Sequence, residues 1–265
     1  MLNWPMFLII PILLILAGCG KPTFSKFSSF SNGVVVGKID WIEVDKNLKP
    51  EIISKTKAVA DLYIPSNQSR CSGFLINEDT IMTNYHCIPD SILSIGVTAN
   101  FSHELGSLIK NEFSCEKFIY SNEELDFTLL GCKGSPGKKL GYLLLDGHVP
   151  GLMSPVYMIH HNCDYIENPG CDYTKKLSRG KVTSFDKDLI YNTTDSLLGS
   201  SGAPLLSAES GKVVGIHHAG KATRNNQRGP YNLAIPSGKI IQDLRENEPE
   251  ILDRLNLSYV NPASI

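Results

Sequence analysis

From Val34 onward the chain reads as short runs of β-forming residues broken by turn formers, and no other feature limits its fold so much. Such runs occupy residues 34–36, 58–64, 72–76, 80–83, 127–130, 156–159, 189–191, 212–216 and 231–235. Each is rich in Val, Ile, Tyr, Phe or Thr, and Gly, Pro, Asn or Asp lie between them. With 22 Gly and 15 Pro in 265 residues, the chain has enough turn formers to close many short connections. Many short strands at this spacing predict an all-β sandwich or barrel. The stretch 145–155 carries Gly147, Pro150, Gly151 and Pro155 and reads as the join between two β halves. The end differs. Ile240, Ile241, Leu244, Ile251, Leu252 and Leu255 recur at helical spacing among charged residues, which predicts an amphipathic helix over 239–257, broken near Pro249.

The N-terminus reads as a targeting segment. Residues 6–17 are nearly all apolar, with Pro11 inside the run. A spanning helix needs about 20 apolar residues, whereas this length suits the hydrophobic core of a signal peptide. The run ends in Leu16-Ala17-Gly18-Cys19, which resembles the lipobox of bacterial lipoproteins. That resemblance implies a signal peptide over 1–18, a lipid anchor on Cys19, and a place in the bacterial cell envelope facing periplasm or exterior. No Lys or Arg precedes the apolar run, so an ordinary secretory signal and a retained anchor are the alternatives. The Ser- and Phe-rich residues 19–33 read as a tether.

Of seven cysteines, setting aside Cys19 leaves Cys71, Cys87, Cys115, Cys132, Cys163 and Cys171. An even set in an exported protein predicts disulfides. Counting leaves many connectivities open; the sequential pairing, Cys71–Cys87, Cys115–Cys132 and Cys163–Cys171, closes three short loops and is the one expected. The rival reading is a metal site, but no pair has close CxxC spacing, so neither metal nor cofactor is expected. A net charge of -2 and the lack of a dense basic run argue against a nucleic-acid partner.

Three segments carry chemistry. The first is Thr83-Asn84-Tyr85-His86-Cys87, the second Asp126-Phe127-Thr128-Leu129-Leu130, and the third Gly199-Ser200-Ser201-Gly202-Ala203-Pro204. A serine hydroxyl needs a base to take its proton, and the base needs an orienting group. It also needs N–H donors aimed at the oxyanion that forms on attack, which a serine among glycines can present. Taken singly, each residue has an ordinary structural explanation: a histidine beside a disulfide, an acid ending a turn, a serine in a glycine-rich bend.

Together the boxes resemble those of the trypsin/chymotrypsin superfamily, in the order His, Asp, Ser, and within it the bacterial glutamyl-endopeptidase-like branch. Cys71 and Cys87 resemble the cysteine pair that flanks the family's histidine box. The resemblance spans roughly 34–257. It implies two antiparallel six-stranded β-barrels, here 34–145 and 146–238, followed by the helix of 239–257. It also implies a serine endopeptidase with Ser201 as nucleophile, His86 as base and Asp126 as its orienting acid. The backbone N–H groups of Gly199 and Ser201 would form the oxyanion hole. Protein or peptide substrates would be cut by a monomer. The rival functions are a catalytically silent binding module on the same fold and an esterase of small acyl substrates.

Two departures bear on this. Ser200 stands where the trypsin branch has the Asp that pairs with a new N-terminus, so that activation route is not expected. Asp195 and Ser196 lie where the specificity pocket is expected. Asp195 matches the acid that selects Lys or Arg, yet some glutamyl endopeptidases also carry Asp there. His217 aligns with the histidine that binds an acidic side chain in that branch, with Ser196 in place of a threonine. An ionised Asp195 in the pocket would oppose an acidic side chain, so one expectation is that its carboxylate turns onto nearby backbone N–H groups. His218, Ala219 and Gly220 are expected to pair with the substrate backbone as an added strand.

Overall fold

The computed structural model describes residues 33–163, 170–223 and 227–255. The expected signal peptide, Cys19 and all of the tether but Gly33 lie outside the described residues. In chain order the elements are β1 (Ile42–Glu43), α1 (Pro50–Thr56), β2 (Val59–Ile64), β3 (Ser69–Leu75), β4 (Thr80–Thr83), β5 (Thr98–Asn100), β6 (Glu112–Ser114), β7 (Lys117–Asn122) and β8 (Phe127–Gly131). They continue with α2 (Pro136–Leu140), β9 (Pro155–His161), β10 (Lys175–Phe185), β11 (Ile190–Asn192), β12 (Pro204–Ser207), β13 (Val213–Gly220), β14 (Asn232–Pro236), α3 (Ser237–Asn247) and α4 (Pro249–Asp253).

The strands form two antiparallel sheets, as two barrels of the trypsin fold. The second closes on itself: β9, β10, β11, β14, β13 and β12 follow one another, and β12 pairs with β9 again. The first runs β6-β5-β2-β3-β4-β8-β7 and stays a curled half-barrel. Strands such as β4 and β13 are buried along their whole length, so they read as apolar runs rather than strict alternations. The core joins both sheets through residues such as Leu62, Phe74, Ile81, Leu129, Ile159 and Ile216.

The start of the chain departs from expectation. Residues 34–43 were expected to open the first barrel, but they pack against the second. β1 pairs with β10, and Val35 bridges to Arg228 in parallel. The run Val34-Val35-Val36 makes no strand of its own, because its backbone partners are loops rather than a neighbouring strand. The terminal helix is broken as expected: α3 buries Ile240, Ile241 and Leu244, and Pro249 then opens α4, where its missing N–H costs nothing.

The three disulfides are those of the sequential pairing. Cystines of this kind belong to oxidising compartments and suggest an extracellular or periplasmic protein. Among the described residues, no helix is long and apolar enough to cross a membrane.

Candidate active site

His86 lies on the turn that follows β4, pinned from behind by the Cys71–Cys87 disulfide. Its backbone N–H donates to Asp126 Oδ1 at 2.9 Å, and its Nδ1 lies 2.8 Å from Asp126 Oδ2. Asp126 precedes β8 with φ 44°, a left-handed conformation that a non-glycine residue adopts at a cost. Asn84 braces it by donating its side-chain N–H to the Asp126 carbonyl at 2.8 Å. Burial by itself would push the Asp126 carboxyl up. Hydrogen bonds from His218 and His86 outweigh that and hold it below the usual carboxylate range.

Ser201 sits on the turn before β12 and is 3% exposed. Its carbonyl accepts the Ser72 N–H at 2.8 Å, which fastens the turn to β3 of the first sheet. Gly202 has φ +84°, and a Cβ there would lie 2.2 Å from the Ser72 carbonyl oxygen and 2.4 Å from Thr83 Oγ1. The serine turn thus abuts Thr83 and Asn84, the residues that lead into His86. Gly199 has φ +99°, and a Cβ there would lie 2.6 Å from the Tyr173 ring and 2.8 Å from the His161 carbonyl oxygen. Ser72 Oγ donates to the Gly199 carbonyl and takes the His161 N–H, each at 2.9 Å. Among the described residues, no backbone carbonyl takes the N–H of Gly199 or of Ser201.

Ser200, where an acid was absent from the expected pattern, is held from within. Its hydroxyl is hydrogen-bonded to His160 Nδ1 at 2.8 Å and accepts the Leu197 N–H at 3.2 Å. His160 Nε2 reaches Ser178 Oγ at 2.9 Å. Burial keeps His160 neutral, well below the ordinary imidazole range, and the nearby Lys176 adds to this. His160 and Ser72 were not legible as site residues, since neither belongs to a box; His160 lies 40 residues from Ser200.

The other expected residues are arranged less simply. The Asp195 carboxylate accepts N–H bonds from Val36 at 2.7 Å and Asp40 at 3.0 Å, residues far from it in sequence. Burial raises its pKa to about 6, these bonds oppose the rise, and Asp40 adds to it. Ser196 Oγ donates to Asn232 Oδ1 at 2.7 Å and accepts the Val34 N–H at 3.2 Å. His217 is buried in β13, where its N–H reaches the Ala203 carbonyl and its carbonyl takes the Gly202 N–H. Ala219 and Gly220 pair with Leu233 and Asn232 of β14. His218 lies apart from this pattern: its Nδ1 is 2.5 Å from Asp126 Oδ2.

Among the described residues, His86, Asp126 and His218 form the group whose ligand atoms lie within 4.8 Å of one another and could hold a metal ion. Their spacings of 2.5 and 2.8 Å are those of hydrogen bonds. Two ligands of a tetrahedral zinc ion would stand about 3.3 Å apart.

A family model described as a trypsin-like peptidase domain matches residues 71–216. This chain belongs to that family. Like the trypsin-like peptidase model, its curated relatives match only in part. It is 27% identical over 192 residues to secreted RxLR effector protein 73 of Plasmopara viticola, covering 66% of this chain and 45% of that protein. The chain spans less than half the length of the curated relatives it matches. A Glu endopeptidase solved in complex with MPD superposes with TM-score 0.65 and 19% identity, covering 82% of this chain and all 100% of that one. Neuropsin, a serine protease of mouse brain, gives TM-score 0.58 and 16% identity over 73% of this chain and 95% of that one. At these identities the likeness is one of fold.

Proposed function

We propose that this trypsin-like peptidase is a serine endopeptidase in which Ser201 attacks the scissile carbonyl. His86 takes the hydroxyl proton and later returns it to the leaving amine. Asp126 holds the imidazole with its proton on Nδ1, so that Nε2 is the acceptor. The N–H groups of Gly199 and Ser201 receive the oxyanion. The observation that carries this reading is the double grip of one carboxylate on one histidine: His86 N–H on Oδ1 and His86 Nδ1 on Oδ2. That grip fixes both the position and the tautomer of the base. The expected result is stoichiometric labelling of wild type by a serine-reactive phosphonate, with labelling and peptide cleavage both lost in Ser201→Ala. A protein that takes no label and cleaves no peptide or ester would sink the reading.

The preference before the scissile bond is for an acidic side chain. Asp195 supports this, because a carboxylate already accepting the Val36 and Asp40 N–H groups is not offered to a Lys or Arg side chain. Cleavage after Lys or Arg in a peptide library, with Glu and Asp left intact, would reverse the assignment. Cys19 as the lipid site keeps the enzyme in the cell envelope; palmitate incorporation should disappear in Cys19→Ser.

A further inference from the structure

Asp126 serves two imidazoles. Its Oδ1 takes the His86 backbone N–H, while its Oδ2 faces Nδ1 of His86 at 2.8 Å and Nδ1 of His218 at 2.5 Å. The two rings stand edge to face, 6.2 Å apart and inclined at 70°. The carboxylate and His218 are shielded, with side chains 6% and 7% exposed, whereas His86 is 38% exposed. The contact also crosses between the sheets, since Asp126 leads into β8 and His218 belongs to β13.

The backbone explains how His218 arrives there. His217 pairs with Ala234 and Ala219 with Leu233, so His218 is the extra residue of a β-bulge. A bulge re-aims a side chain that regular alternation would send elsewhere. One residue earlier, the His217 carbonyl holds the Gly202 N–H at 3.1 Å. A single dipeptide of β13 therefore grips the serine turn through its backbone and the aspartate through its side chain.

We propose that His218 is a positioning residue for the peptidase reaction, a second imidazole that fixes the Asp126 carboxylate for His86. This rests on the triad reading above. A carboxylate oxygen that accepts from both rings requires a proton on Nδ1 of each. His218 is thus a donor that helps satisfy a buried anion and stops it from rotating away from His86. This role belongs to its side chain and is separate from the backbone pairing expected of it beside Ala219 and Gly220.

The test compares His218→Leu, which deletes the donor, with His218→Asn, whose side-chain N–H stands near the place of Nδ1. With a reactive peptide ester, His218→Leu should lower kcat by about 10–100-fold, the scale of a small misplacement of catalytic groups. KM should stay within about twofold, and His218→Asn should recover about tenfold over His218→Leu. Nitrogen NMR of histidine-labelled wild type gives a readout that needs no variant to fold: His218 should carry its proton on Nδ1. The proposal is overturned if His218→Leu turns over like wild type, if both variants are equally slow, or if His218 Nδ1 is unprotonated. Failure of the triad reading is distinct, because wild type would then take no phosphonate label.

Discussion

At the scale of single residues, the candidate site depends on close approaches that leave no room for a side chain. Gly202 is the sharpest case. An alanine there meets both a left-handed φ and the Ser72 carbonyl oxygen. We expect Gly202→Ala to destabilise the fold by about 1–3 kcal/mol, from overpacking and backbone strain together. For a chain of this size that lowers the melting temperature by roughly 2–4 °C per kcal/mol, and phosphonate labelling should fall with it. His160→Leu is expected to act differently. It takes one hydrogen bond from each of the buried Ser200 and Ser178 hydroxyls, which keep the Leu197 N–H and the Asp195 carbonyl, at about 0.5–1.5 kcal/mol per bond lost. Thermal melts of the two variants check both expectations, and a His160→Leu protein as stable as wild type would deny the network its role. Neither effect was readable in the sequence, where Gly202 belongs to a recognisable box but His160 is one histidine among seven.

At the scale of elements, residues 33–43 behave as part of the second sheet. Val36 and Asp40 donate to Asp195, Val34 donates to Ser196, and β1 closes onto β10. The Asp195 carboxyl, raised mainly by burial to about 6, binds its proton more tightly folded than unfolded, where an aspartate titrates near 3.9. Its contribution to stability is therefore full below about pH 3.9 and lost as the pH rises through about 6. Asp195→Asn keeps an acceptor but removes this titration. The stability of wild type relative to Asp195→Asn should fall between about pH 4 and 6 in urea melts; an unchanging difference would show that the group does not titrate there. The Cys115–Cys132 bridge also acts at this scale, joining residues 17 positions apart around β7 and β8. Its replacement by an alanine pair should cost about 2–5 kcal/mol.

Across the whole molecule, polar side chains stitch the two barrels together. Lys175 of β10 is buried and donates to the carbonyls of Thr56 and Phe101 from the first half, with Glu104 beside it; burial lowers its pKa to about 8. His103 bridges Asp61 of β2 at 2.7 Å and Asp172, before β10, at 3.0 Å. Arg70 also pairs with Asp61, and the His161 ring stacks on His103. The Asp61 hydrogen bond raises the His103 pKa, burial opposes it, and the Asp61 charge and Asp172 add to the rise. Its stabilisation is thus complete below the unfolded value near 6.5 and lost as the pH rises through the folded one. Denaturant melts of wild type and His103→Gln should differ most at pH 6 and converge in alkali. A gap that widens with pH would reverse the sign.

Apart from 34–36, the short β runs were readable, as were the three boxes and the cysteine order, because each is a local pattern. Turn formers, strand formers and a nucleophile between glycines declare themselves within a few residues. What a buried carboxylate finally touches is not local. Asp126 meets His218 across 92 positions, and Asp195 meets Val36 across 159. A β-bulge and a closing barrel decide both contacts, since a hydrogen bond acts over about 3 Å and only the folded chain determines which groups come that near.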